Sequence, residues 1–371
     1  MDLTAMLTDL EELVRCESFS ADHAAVARSA AAVARQGTDR LGEGPKTIVL
    51  GGVTHLSWTF GTPRVLLVGH HDTVWPTGSL NTRPWRVADG VARGPGVFDM
   101  KAGLVQMFHA LAGLPTLGGV RILVTGDEEV GSSTSRALVE DAARECAATL
   151  VLEASADGGA LKTARKGTSR YAFEVHGEAA HSGLEPEKGV NAGVEAAHQV
   201  LAVHALGATL NGGSPGSGAS WTTTLTPTLV SAGSTANTVP ARADFTVDVR
   251  VPTLDAQHRV DDLLRALPVR TPGARLDVRG GPNRPPLEPE ASAGLFALAQ
   301  EAAARLGLPP LTGAAVGGAS DGNFTAGVGC PTLDGLGAVG GGAHAQDEHV
   351  LVEHLPVRAA LLAELVKAVL R

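Results

Sequence analysis

Apolar residues along this chain recur at two spacings, and the change from one to the other divides it. Near the start, Leu3, Met6, Leu7, Leu10, Leu13 and Val14 return every three or four positions among acidic residues, the signature of an amphipathic helix. Ser20 is expected to cap a second, alanine-rich helix reaching about Leu41. Ile48-Val49-Leu50 and the segment around Trp58 read as strands. Three short continuous runs follow: Val65-Leu66-Leu67-Val68, Arg121-Ile122-Leu123-Val124-Thr125 and Thr149-Leu150-Val151-Leu152. Runs of that length, rich in branched residues, suit strands of a parallel sheet buried on both faces. Between the first two, Met100, Leu104, Met107 and Leu111 share one face of a helix. Met100 and Met107 are expected in the core and His109 in solvent.

Near Gly167 the period drops to two. Tyr171-Ala172-Phe173-Glu174-Val175 alternates like a half-buried strand. A helix follows with Val190, Val194, Ala197 and Leu201 on one face, then a Gly/Ser/Pro-rich loop from Asn211 to Ser220. Strands at Thr222 to Val230 and Ala243 to Val251, a helix at about Asp255 to Leu267 and a strand at Arg275 to Val278 complete the set. The order β-α-β-β-α-β is the split βαβ, ferredoxin-like arrangement. The expected architecture is therefore α/β: a discontinuous domain, residues 1–166 and 281–371, with a mostly parallel sheet flanked by helices, and an inserted α+β domain, residues 167–280. The Pro-rich stretch Gly281 to Pro289 forms the second linker, a helix from about Ala291 to Leu306 follows, and Val357, Leu361, Leu365 and Val369 mark a C-terminal helix.

Composition narrows the function classes. The chain has 371 residues, 44% of them hydrophobic and 19% charged, which is globular and large enough for two cores. A net charge of −9 without a basic run gives nucleic-acid binding no electrostatic support. Cys16, Cys146 and Cys330 are odd in number and form no Cys-x-x-Cys, as expected in a reducing compartment. No apolar run has membrane-spanning length and the first helix is not a signal peptide. A cytoplasmic protein without membrane or nucleic-acid partners is the expectation.

The three buried runs end in chemistry. The first passes through Gly69 into His70-His71-Asp72, the second into Gly126-Asp127-Glu128-Glu129, and the third into Glu153. Carboxyl ends of parallel strands are where ligands collect, and adjacent acids there repel unless a cation offsets them. His70 suits a metal ligand, with Asp72 two residues on to orient its ring. Asp99, after the turn Gly94-Pro95-Gly96, is either a helix N-cap or a further ligand, and His344 ends the run Gly340-Gly341-Gly342-Ala343-His344. Imidazoles and carboxylates without thiolates suit zinc, cobalt or manganese in a catalytic site. Five ligands are too many for one open tetrahedral ion. Two divalent ions sharing one bridging carboxylate use them all, and such a pair activates water and polarises a carbonyl. Glu128 is left beside Glu129 as a general base.

With these motifs in this order, the chain resembles the M20 metallopeptidases, which include acetylornithine and succinyl-diaminopimelate deacylases, aminoacylases and glutamate carboxypeptidase. The run His70-His71-Asp72-Thr73-Val74-Trp75-Pro76-Thr77-Gly78, followed by Gly94-Pro95-Gly96, is most similar to the glutamate carboxypeptidase branch. The resemblance implies a homodimeric hydrolase, paired through its inserted domain, that cleaves the amide of an N-acyl amino acid or of a peptide with a free carboxylate. It implies zinc bound by His70 and Glu153 on one side and by Glu129 and His344 on the other, with Asp99 bridging through a cis Asp99-Met100 peptide. It makes Glu128 the base and Asp72 the residue that orients His70. His181, in Gly177-Glu178-Ala179-Ala180-His181-Ser182-Gly183, would reach the partner subunit's site to stabilise an oxyanion. Asn237, Arg250 and Ser320 would contact substrate, Arg250 as a carboxylate clamp, with Arg165 and Lys166 as further basic candidates. Ala154 stands where many relatives have proline, and Asn323 where the succinyl-diaminopimelate branch has arginine, which disfavours that substrate.

Two other readings compete. Gly318-Ala319-Ser320-Asp321-Gly322 fits the Gly-x-Ser-x-Gly of serine hydrolases, but that motif needs a strand before the serine. Thr312 to Gly317 is too glycine-rich for a buried one. A non-catalytic dimer that binds acyl amino acids should have lost Glu128 or a ligand, and none is missing.

Overall fold

The computed structural model describes residues 1–211 and 221–371; the expected loop from Asn211 to Ser220 falls, from 212 onward, outside the described residues. The chain divides into two compact units. One comprises Met1–Ala164, Leu287–Val316 and Ser320–Arg371, the other Arg165–Pro286 with Gly317–Ala319.

The first unit is built on a six-stranded sheet in the order Lys46–Leu50, Val53–Thr59, Val120–Thr125, Val65–His70, Ala148–Val151, Thr332–Leu333. The last four strands are mutually parallel and the first two antiparallel. Val65 and Leu67 point into a core shared with Ile122, Val124, Leu10, Phe108 and Leu362, while Leu66 and Val68 point the other way, onto Val139, Ala142 and Phe324. Burial on both faces is why these strands are continuously apolar. The helix Ala102–Ala112 is buried from Ala102 to Leu111, and Gly103 is what lets it approach the sheet: a Cβ there would lie 2.1 Å from the Leu152 carbonyl oxygen.

Three expectations in this unit need correction. His109 is buried, not in solvent, because its Nε2 lies 2.7 Å from Asp9 on the first helix. Ser20 does not cap the second helix, His23–Leu41; Asp22 does, accepting from the Ala25 amide. A strand does precede Ser320: Gly313–Val316 pairs with Leu161–Arg165 despite its glycine.

The second unit is a four-stranded antiparallel sheet, ordered Thr224–Ala232, Arg242–Val251, Gly167–His176, Arg275–Arg284, in the β-α-β-β-α-β chain order. Tyr171, Phe173, Val175, Phe245 and Val247 form its core with both helices, Ala192–Leu210 and Leu254–Arg265. The last strand runs past Val278 to Arg284, because an edge strand tolerates the Gly280-Gly281-Pro282 break. The helix Ala192–Leu210 does not bury the face that carries Val194 and Leu201, which are exposed; Ala192, Ala196, Gln199 and Val203 turn inward instead. Glu195 explains the turn, since its buried carboxylate accepts from the Arg270 and Thr271 amides and from Gln199.

Candidate metal centre

Because the Val65–His70 strand lies between its two parallel neighbours, the three carboxyl ends bring His70, the Glu128–Glu129 turn and Glu153 to one edge. Asp99 enters from the loop ahead of the Ala102–Ala112 helix. The Asp99-Met100 peptide is cis, and the position capping the Ala102–Ala112 helix is Lys101, not Asp99, with no side-chain cap hydrogen bond. His344 arrives from a glycine-rich turn in which it holds a left-handed backbone, φ 61°.

These side chains form two groups that share Asp99. His70, Asp99 and Glu153 are one, and Asp99, Glu129 and His344 the other, with ligand atoms within 4.8 Å of one another in each. Asp99 Oδ1 lies 3.2 Å from His70 Nε2, and Asp99 Oδ2 lies 3.4 Å from His344 Nε2. Glu153 Oε1 is 3.5 Å from the same His70 nitrogen, and Glu129 Oε2 is 3.0 Å from the His344 nitrogen. One carboxylate thus offers an oxygen to each side. Neighbouring His71 belongs to neither group: its ring is buried, which pushes it down to about 4, and donates from Nε2 to the Thr54 carbonyl, 3.0 Å away.

The electrostatics of the two groups are those of imidazoles sharing protons with acids. Burial opposes a charged His70, but hydrogen bonds with Asp72, Asp99 and Glu153 outweigh it and hold the ring well above its ordinary range. Bonds to Asp99 and Glu129 push His344 up to about 10. Burial raises Glu129 to about 7 against the pull of His344. Burial also opposes the charge on Asp99, yet the two imidazoles keep its carboxyl far below the usual range. A donor set of two imidazoles and three carboxylates with no thiolate fits a pair of borderline divalent cations, which would replace those protons.

Two carboxylates behind the ligands hold the backbone in place. Asp72 is fully buried and accepts from Ser20 Oγ at 2.7 Å and from the Glu128 and Glu129 amides at 3.2 Å each. His70 Nδ1 donates to the Asp72 carbonyl at 3.0 Å and lies 3.4 Å from its carboxylate. Asp72 therefore ties the ring of one group to the turn that carries the other.

Glu348, which sequence reasoning missed, does the same for Asp99. Its carboxylate accepts from the amides of Gly96, Phe98 and Asp99 at 2.9–3.2 Å and from Trp75 Nε1 at 2.6 Å. Burial raises its pKa, and those hydrogen bonds pull it back only in part. The only signal in the sequence was an acid four residues after His344. Glu348→Ala is expected to orphan three buried amides, at roughly 1–3 kcal/mol for each group left unsatisfied. A melting curve together with metal analysis checks this; a variant that melts like the parent and keeps its metal contradicts the role.

The remaining candidates divide between the units. In the second unit, the His181 and Asn237 segments run side by side: His181 bridges Thr238, and the Ser182 amide donates to the Asn237 carbonyl at 3.0 Å. The Gly183 amide donates to His181 Nδ1 at 3.1 Å, so the neutral ring carries its proton on Nε2, free to donate. Arg250 forks onto Asp248 at 2.7 and 3.0 Å. Arg165 and Lys166 are buried; Arg165 donates to the Gly318 carbonyl, and burial, then the nearby Arg250, lowers Lys166.

Ser320 lies in the first unit and is a correction. It is fully buried and its hydroxyl donates to Asp334 at 2.6 Å, so it does not present itself to substrate. Gly322 and Asn323 supply its other hydrogen bonds. With no histidine among its partners and no exposure, Ser320 is not a nucleophile either.

Comparison with known proteins agrees with this chemistry. Residues 66–368 match the family model of peptidase family M20/M25/M40. Carboxypeptidase G2 of Pseudomonas sp. strain RS-16 is 30% identical over 82% of this chain and 74% of its own length. Succinyl-diaminopimelate desuccinylase of Granulibacter bethesdensis is 31% identical, covering 79% of each chain. Among solved structures, an M20 family metallo-carboxypeptidase from Sulfolobus solfataricus shares the fold with a TM-score of 0.77, at 16% identity over 100% of this chain and 99% of that one. The chain belongs to the M20/M25/M40 peptidase family and is a metal-dependent hydrolase.

Proposed function

We propose that this hydrolase works with two divalent ions, zinc with cobalt or manganese as substitutes, and cleaves the amide bond of an N-acyl amino acid or the C-terminal residue of a peptide. The observation that carries this reading is Asp99, with one oxygen toward His70 and the other toward His344. His70 and Glu153 would hold one ion and Glu129 and His344 the other, with Asp99 common to both groups. When bound, such a pair polarises the scissile carbonyl and makes a water acidic.

Every other task falls to the chain itself. Glu128 takes the proton of the attacking water and returns it to the departing amine. Asp72 holds His70 in its ligating orientation and fixes the turn that aims Glu128. His181 donates from Nε2 to the oxyanion, and Arg250, with Asn237, takes the free carboxylate of the substrate in exchange for Asp248. Arg165 and Lys166 serve the same end of the substrate if Arg250 keeps Asp248.

The protein acts as a homodimer in the cytoplasm, paired through the second unit. Supporting this are Val194 and Leu201 on the outer helix face and Leu229 and Val230 on the edge strand Thr224–Ala232, from 47% to 74% exposed. Apolar side chains beside an unpaired strand edge invite a second copy. Among the described residues no helix is long and apolar enough to cross a membrane.

Chelator-treated enzyme is expected to be inactive, and zinc or cobalt to restore it. A panel of N-acyl amino acids and dipeptides, acyl-glutamates included, assayed with zinc, cobalt and manganese checks both metal and substrate. Full activity in a preparation verified as metal-free would refute the mechanism.

A further inference from the structure

A cavity of about 240 Å³ in the first unit is lined in part by Thr82, Arg83, Arg86, Arg93, Gln346 and Glu348. None of its three arginines belongs to either metal-ligating group. Arg86 and Arg93 are direct partners across the hairpin formed by the strands Arg86–Ala88 and Val91–Arg93, so their side chains leave the same face of the ladder. Like charges directly opposite destabilise such a pair. The Arg83 guanidinium lies 3.9 Å over the Trp75 ring, and Arg93 Nη1 donates to the Asp347 carbonyl at 3.0 Å, so two of the three forks are already held in place.

Against these three cations the lining offers one carboxylate, Glu348, among the described residues. No carboxylate forms an ion pair with Arg83, Arg86 or Arg93 among those residues, although the chain carries 39 acids and a net charge of −9. The carboxylate of Glu348, which lines the cavity, is already taken by three amides and the Trp75 indole. Planar guanidiniums pre-set by stacking and by a carbonyl bond recognise oxyanions in forked geometry. The cavity is smaller than the usual pocket for a drug-sized ligand, which begins near ~300 Å³.

We infer that the Arg83, Arg86 and Arg93 pocket binds a small dianion of the carboxylate or phosphate class, at a site separate from the metal ligands. Glu348 joins the two places, since the carboxylate in the pocket wall also holds the Asp99 amide.

The test is calorimetric titration of the metal-loaded enzyme with inorganic phosphate and, separately, with succinate, ionic strength being held constant with sodium chloride. Saturable one-to-one binding is expected, weakened at least tenfold in Arg86→Gln and in Arg93→Gln, with metal content unchanged. Tighter binding of phosphate or of succinate assigns the class. In chloride-only buffer Arg86→Gln is expected to melt no lower than the parent, because it removes a cross-strand repulsion. Arg83→Gln, on a separate segment, replaces Arg93→Gln if loss of the Asp347 bond disturbs folding. Absence of saturable binding by either anion overturns the inference. So does binding that the arginine variants leave unchanged, which would place the anion on the metals.

Discussion

Glu128→Gln is expected to keep both metals and lose most activity, about 10²- to 10⁴-fold in kcat, the usual contribution of a positioned base. Glu129→Gln is expected to lose metal as well. The two acids are adjacent, and both amides donate to Asp72 at 3.2 Å, so neither substitution alters how the turn is anchored. Their side chains differ in company. Glu129 lies 3.0 Å from His344 and belongs to one of the ligating groups, whereas Glu128 belongs to neither. Glutamine matches the volume of the buried Glu128 side chain, so packing is retained, but the amide cannot take a proton. At 129 the same exchange removes a charged ligand oxygen. Metal analysis and kcat of both purified variants decide the matter, and equal metal loss in the two would refute the division of labour.

A mixed dimer is expected to recover activity that neither parent has. If His181 serves the partner's site, every site combines the Glu128 of one chain with the His181 of the other. Glu128→Ala homodimers should then be dead. His181→Ala homodimers should be down about 10²- to 10³-fold, the usual loss for one oxyanion donor. In the mixed dimer, the site on the His181→Ala chain has its own Glu128 and borrows an intact His181. Random exchange makes about half the dimers mixed, each with one good site of two, so activity should return to about a quarter of the parent enzyme. The exposed position of His181 away from the second unit's core allows such a reach, and its Nδ1 bond to the Gly183 amide leaves Nε2 as the donor. Activity that stays at the sum of the two variants after proven exchange would put His181 to work in its own chain, or nowhere.

What could be read in the sequence was whatever has a local pattern. The three apolar runs, their terminal His70, Glu128-Glu129 and Glu153, and the period-two strands of the second unit all carry their meaning in short spacings, and the two sheets follow from them. Residues that act through distant backbone amides carry no such pattern. Ser20 looks like a cap but donates to Asp72, 52 positions away. Glu348 looks like a solvated acid but holds three amides about 250 positions earlier in the chain. In the Ala192–Leu210 helix the stripe carrying Val194 and Leu201 faces outward, because Glu195 on the other side is satisfied by two loop amides that no local spacing announces. His109 and Ser320 depart from expectation for the same reason: each is buried and bonded to an aspartate that the sequence does not place beside it.

Whether Asp99 joins two metal ions is decided by diffraction at the zinc absorption edge from crystals of the zinc-loaded enzyme. Two anomalous peaks per chain are expected on opposite sides of the Asp99 carboxylate, one contacting His70 and Glu153 and the other Glu129 and His344. A single peak, or a pair of which either lies away from Asp99, would contradict it.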